Sequence, residues 1–193
     1  MDVTALIRPG ERLDDLQRGG LRILQRPDGF RFGTDAVLLA DFARVGAGED
    51  AADFGTGTGI LPLLLLGRGK GRHYDAFELQ EDMADMAQRT MRLNGLEDRV
   101  SVHALPVERA DEVVRPGSLG SIVCNPPYGE RMLEQRSAQR LYGAFGRHLK
   151  YADGWKKYII SSEPEFEHYF GRQAVKKRKL YNGRLQCNVY MYY

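Results

Sequence analysis

Apolar and polar positions along this chain alternate between extended and helical spacing. Residues 51–54, 73–78, 100–103, 121–125 and 157–161 read as short strands. Between them lie helical stretches. The clearest has Met83, Met86, Ala87, Thr90 and Met91 at i, i+3, i+4, i+7 and i+8, and Asn94-Gly95 stops it. Further helices are predicted from about Ile60, over residues 138–149 and near 163–170. Upstream, Pro27-Asp28-Gly29 between residues 21–25 and 30–32 predicts a small hairpin, and Thr34 or Asp35 is expected to cap a helix running through Leu39 to about Ala43. Near the other end Asn182-Gly183 separates two extended runs, a strong hairpin signal, and Leu185, Cys187, Val189 and Met191 alternate as a strand with one buried face. Serial β-α-β units predict an α/β fold, a mostly parallel sheet with helices on both faces and a C-terminal antiparallel hairpin.

Composition narrows this picture little. The 193 residues suit one domain, with residues 1–33 as an N-terminal extension; 42% are hydrophobic and 28% charged. A net charge of +2 does not by itself argue for nucleic acid. Lys176, Lys177, Arg178 and Lys179 form a basic run that suits either phosphate contact or the solvated face of an edge strand. Cys124 and Cys187 and the four His lack metal-site spacing, so no metal is expected. The longest apolar run, residues 60–66, is too short to span a bilayer, and no apolar signal core opens the chain. The expectation is a cytoplasmic protein without membrane contact; the oligomeric state stays open.

The chemistry concentrates in two loops. Asp53-Phe54-Gly55-Thr56-Gly57-Thr58-Gly59 joins a strand to a helix, where glycines let the backbone turn and approach a ligand. A carboxylate before such a loop repels a phosphate but pairs well with the ammonium of a methionine moiety. Glu78, at the end of the next strand and 25 residues after Asp53, is placed to accept the ribose hydroxyls of an adenosine. Together these favour S-adenosylmethionine, with Asp53, Gly55, Thr56, Gly57, Gly59, Glu78 and Leu79 as its neighbours. A NAD site and a ligand-free turn are the alternatives.

The second loop is Asn125-Pro126-Pro127-Tyr128, after the fourth strand. The Asn125 side-chain oxygen and the Pro126 carbonyl can accept the two N–H bonds of an aromatic amine. Those bonds strengthen as the nitrogen becomes tetrahedral. The prolines hold the acceptors rigidly, and Tyr128 offers a flat face for an unstacked base. Asn125, Pro126 and Tyr128 are therefore the candidate catalytic residues, with Asn125 also beside the cofactor. The plain alternative is a proline turn with Tyr128 simply packed.

Arg12-Leu13-Asp14-Asp15-Leu16, the segment from Phe30-Arg31-Phe32 to Ala40, the glycine loop, and Glu78-Leu79-Gln80 through Asn94 resemble the bacterial tRNA adenine-N6 methyltransferase family that modifies valine tRNA, over roughly residues 10–128. That resemblance implies Phe32, Thr34 and Asp35 as cofactor neighbours. From Tyr128 onward, Gly129-Glu130-Arg131, Leu141-Tyr142 and Phe170-Gly171-Arg172 through Gly183 resemble the end of the 23S rRNA guanine-N2 methyltransferase family, whose members carry an RNA-binding THUMP domain ahead of the catalytic one. The expectation is a hybrid joined at Asn-Pro-Pro-Tyr. The implied fold is the class I, Rossmann-like methyltransferase with seven strands. The implied reaction is methyl transfer from S-adenosylmethionine to an exocyclic amine of an RNA base in tRNA or rRNA, adenine N6 in tRNA first and guanine N2 in 23S rRNA next. Methylation of a protein glutamine, as in release-factor methyltransferases, and an inactive S-adenosylmethionine-binding module are the rivals. One departure stands out: His103-Ala104-Leu105-Pro106 lacks the Asp that both families place after the third strand, so weaker cofactor binding, with adenine held by backbone groups, is expected.

Overall fold

The computed structural model describes residues 3–29, 32–114, 120–128, 135–152 and 154–193. A two-stranded hairpin, β1 (Arg12–Asp15) and β2 (Arg22–Gln25), precedes a seven-stranded sheet. The sheet strands are β3 (Asp50–Phe54), β4 (His73–Phe77), β5 (Val100–His103), β6 (Ser121–Cys124), β7 (Lys156–Ser161), β8 (Lys176–Asn182) and β9 (Leu185–Tyr192), in the spatial order β5-β4-β3-β6-β7-β9-β8. The first five run parallel; β9 is antiparallel to β7 and to β8. Helices α1 (Thr34–Phe42), α2 (Ile60–Leu66), α3 (Glu81–Leu93), α4 (Gln135–His148) and α5 (Phe166–Phe170) flank it. No helix among the described residues is long and apolar enough to cross a membrane.

Two apolar cores sandwich the sheet. One joins α1 and α2 to Tyr74, Val123, Ile160 and Val189; the other joins α4 and α5 to Phe54, Phe77, Ile122 and Tyr190. Alternate residues of one strand thus enter opposite cores, which is why residues 122–124 of β6 form a short continuous apolar run, while β3 carries Asp50 and Asp53 among its apolar positions. The same burial corrects the expectation for β9. Both its faces are covered: Cys187, Val189 and Met191 enter one core, and Tyr190 and Tyr192 the other. Gly183 opens the β8–β9 loop with φ +62, the positive dihedral that a two-residue hairpin demands.

The N-terminal hairpin forms elsewhere than predicted. Its loop is residues 16–21, closed by the Leu16 amide on the Leu21 carbonyl, and its first strand is Arg12–Asp15. Pro27-Asp28-Gly29 makes a tight turn that leads out of β2, but Phe32 is not in a strand, and Phe30 and Arg31 lie outside the described residues. The alternation of Leu13 with charged neighbours was the overlooked signal. The hairpin packs on α3, where the Asn94 side chain brackets the Arg22 backbone and Thr90 accepts from the Leu24 amide.

Candidate functional site

Strand register puts the predicted chemistry in one row. Phe54 pairs with Phe77 on one side and Cys124 on the other, so Gly55, Glu78 and Asn125 each stand one residue beyond the sheet, at the carboxyl ends of adjacent parallel strands. The chain order also reverses here: β3 leads to β4 and β5 on one side, and β6 begins the other. Open α/β sheets form their ligand crevices at such a point. The crevice is a cavity of about 590 Å³, within the range of small-molecule sites.

Its floor is the glycine loop. The Gly55 and Thr56 amides both donate to the Phe77 carbonyl at 2.9 Å, which ties the loop to β4. Gly59 ends it at φ +87, the left-handed region that favours glycine, and a Cβ there would also displace the Met91 methyl of α3. Glu78 is 8% exposed; its Oε2 accepts from the Gly57 amide at 2.9 Å and its Oε1 from the Gln80 amide at 3.0 Å. Each oxygen keeps a further lone pair for a ligand hydroxyl. Leu79 beside it is 69% exposed on the cavity wall, an apolar surface suited to a flat ring.

Asp53 behaves differently. It is fully buried, does not line the cavity, and neither carboxylate oxygen has a hydrogen-bond partner among the described residues. Burial pushes its pKa up to about 7, and the charge of Glu78 adds to the rise; the Thr56 hydroxyl works against it without reaching hydrogen-bond geometry. An unpaired buried carboxyl thus lies beneath the glycine loop.

The opposite wall is Asn125–Tyr128. The Tyr128 hydroxyl lies 2.7 Å from Asn125 Oδ1 and 3.0 Å from Asp35 Oδ2, so its single proton serves two acceptors. Burial, reinforced by the Asp35 charge, holds the phenol well above its ordinary pKa, which makes Tyr128 a donor and not a base. Tyr142 of α4 donates to the Pro127 carbonyl at 2.9 Å and fixes the proline turn from behind. No donor among the described residues reaches the Pro126 carbonyl.

Of the predicted site residues, Asp35, Gly55, Gly57, Glu78, Leu79, Asn125, Pro126 and Tyr128 line this one cavity. Phe32, Thr34, Asp53, Thr56 and Gly59 do not. Phe32 packs into the core beside α1. The expected cap is also corrected: Gly33 occupies the N-cap position of α1 without a side-chain hydrogen bond, Asp35 Oδ1 accepts from the next amide, and the Thr34 hydroxyl donates to Asn182 Oδ1 of β8. That clasp brings Asn182 to the cavity wall, which the sequence reading missed. It also missed Glu108. The third-strand segment does lack a carboxylate through Pro106, but the following 3-10 turn, Val107–Glu112, brings Glu108 to the wall two residues later. Residues 129–131, part of the second resemblance, lie outside the described residues.

Residues 70–191 match the RMKL-like methyltransferase domain. The chain belongs to this family. The matched segment runs across residues 125–128, where the sequence reading placed a join between two families. Among relatives of the RMKL-like domain, YpsC of Bacillus subtilis (strain 168), described as an RNA methyltransferase, is 32% identical over 118 residues, 61% of this chain and 30% of that protein. The ribosomal RNA large subunit methyltransferase K/L of Syntrophotalea carbinolica is 34% identical over 105 residues, 53% of this chain and 15% of the other. The chain thus spans a third or less of these curated relatives. Among solved structures, the methyltransferase SMU.472 complexed with SAH aligns with a TM-score of 0.68 at 23% identity, covering 83% of this chain and 52% of that one. TrmN from Thermus thermophilus aligns with a TM-score of 0.67 at 17% identity, covering 81% and 47%. At these identities the likeness shows the methyltransferase fold of the RMKL-like domain and nothing finer.

Proposed function

We propose that the protein transfers a methyl group from S-adenosylmethionine to an exocyclic amino group of an RNA base. The observation that carries this reading is the single row of Gly55, Glu78 and Asn125 around one cavity, with the cofactor features on one wall and paired amine acceptors on the other. The residues fit the cofactor. Glu78 presents a carboxylate fixed by two backbone amides, Leu79 an open apolar surface, and Gly55 no side chain to block approach. Asp53 supplies a buried carboxyl beneath the loop backbone, whose charged form a ligand ammonium would favour. Glu108 adds an acceptor near the third strand for an aromatic amine. When bound, the cofactor supplies an electrophilic methyl group on a sulfonium.

The chain's own work is to present the nucleophile. Asn125 Oδ1 and the Pro126 carbonyl accept the two N–H bonds of the base amine and aim its lone pair, as the sequence implied. Tyr128 lines the base side and positions Asn125 through its hydroxyl. No base is needed, because the proton leaves after transfer. Adenine N6 of tRNA is the leading target, on the N-terminal resemblance. Guanine N2 of 23S rRNA is the second reading, favoured by the large-subunit ribosomal RNA methyltransferases among the relatives.

The test incubates the protein with labelled S-adenosylmethionine and, separately, total tRNA, rRNA and release factor, followed by nucleoside mass spectrometry. Label in methylated adenine or guanine is expected, and Asn125→Ala should lower kcat about 10²- to 10³-fold. Label in protein alone, or in nothing, would overturn the reading.

A further inference from the structure

The small net charge conceals an uneven distribution along β8. Lys177 Nζ meets Glu167 at 2.6 Å, and Lys179 Nζ sits 5.7 Å over the Tyr181 ring; these alternate on one face. Lys176 and Arg178 project from the other face, the one that turns Leu180 into the α1 core and Asn182 to the catalytic cavity. Beyond the far end of α1, Arg44 joins them. Arg44, Lys176 and Arg178 line a second concavity of about 110 Å³ with Phe42, Met191 and the half-exposed Tyr193.

No acidic side chain among the described residues lines this concavity. The nearby carboxylates are already engaged: Asp41 pairs with Arg68 at 2.7 Å, and Glu49 with Lys156 at 2.6 Å. No ion pair among the described residues involves Arg44, Lys176 or Arg178. Guarding a sheet edge explains lysines on β8, but it does not explain a third cation from another element converging on the same spot, or two aromatic rings beside it. Cations beside aromatic rings suit a nucleic-acid backbone with a neighbouring base. The location fits too. Lys176 stands six residues from Asn182 along one strand, about 20 Å from the cavity wall, with same-face side chains about 6.7 Å apart.

We infer that Arg44, Lys176 and Arg178 form a phosphate-anchoring site for the RNA substrate, gripping its backbone about 20 Å along β8 from the nucleotide in the catalytic cavity. This rests on the RNA reading above, and the assay separates the two. The triple variant R44A/K176A/R178A and the single variant R178A are compared with wild type and with K179A, whose side chain lies on the opposite face. Turnover is measured on total tRNA and on rRNA, and binding of a fluorescein-labelled oligoribonucleotide is followed independently by anisotropy. Calorimetry with S-adenosylmethionine and thermal melting check the fold.

The triple variant should raise KM for RNA at least tenfold with kcat and cofactor Kd within twofold, and R178A about threefold. The slope of log affinity against log salt should become shallower by about 2, from three lost contacts at roughly 0.7 each. K179A should match wild type. Unchanged oligoribonucleotide affinity and salt slope in the triple variant would overturn the anchor, even where RNA is methylated. Weakened affinity in a protein that methylates no RNA would uphold the anchor and overturn the catalytic reading.

Discussion

Glu11, in the segment leading into β1, and Asp53, at the end of β3, both withdraw a carboxylate from solvent. Glu11 is answered completely: Arg89 Nη1 and Nη2 reach its two oxygens at 2.6 and 2.7 Å, and Arg89 also holds Asp85 and the Leu6 carbonyl. The Arg89 hydrogen bonds keep the Glu11 pKa below its usual value. Asp53 is answered by nothing, and its pKa rises to about 7. One acid closes the contact between the N-terminal segment and α3. The other leaves an electrostatic debt beside a cavity. A buried charge with its partner in place is architecture, whereas one without a partner points to a ligand.

The pH responses therefore carry opposite signs. A depressed pKa gives Glu11 a contribution present above the unfolded value of about 4.3 and lost as pH falls. A raised pKa makes the native state hold a proton on Asp53 between about pH 4 and 7, so stability from this group declines as pH rises through that window and is flat above it.

The largest expected effect is on the paired acid. Arg89→Ala should cost about 3–5 kcal/mol in urea unfolding, because it strands Glu11; a variant as stable as wild type would dissolve the contrast. Asp53→Asn should go the other way, gaining roughly 2–4 kcal/mol at pH 8 and progressively less towards pH 4, while cofactor affinity measured by calorimetry drops about tenfold. A variant no more stable at pH 8 would mean that Asp53 is already satisfied. Asp35 is the intermediate case, held by an amide and by the Tyr128 hydroxyl. Tyr128→Phe should therefore cost only about 1 kcal/mol in stability and about tenfold in kcat, with KM for the cofactor within twofold. An unchanged kcat would remove Tyr128 from the positioning of Asn125.

The strands and helices of the sheet were legible because burial on both faces leaves short apolar runs punctuated by Gly, Asn and Pro. The two chemical loops were legible because glycine and proline are chosen there for backbone reasons. What stayed hidden depends on tertiary proximity. Nothing local links Thr34 with Asn182, or Tyr142 with the Pro127 carbonyl. Glu108 was missed because the reading stopped at Pro106, before the 3-10 turn that brings it round. Nothing in the spacing of α3 marks Arg89 as buried, because the segment that covers it lies about 80 residues earlier in the chain.

The insertion of β9 between β7 and β8 has a consequence for biosynthesis. Residues 176–182 have no strand to pair with until residues 185–192 have emerged, and Asn182 and Leu185 of that hairpin line the cavity beside Glu78 and Asn125. At about 5–20 residues per second the ribosome delivers the five parallel strands before this hairpin. A nascent chain therefore carries the glycine loop and the proline turn for some time before Asn182 and Leu185 complete the pocket wall.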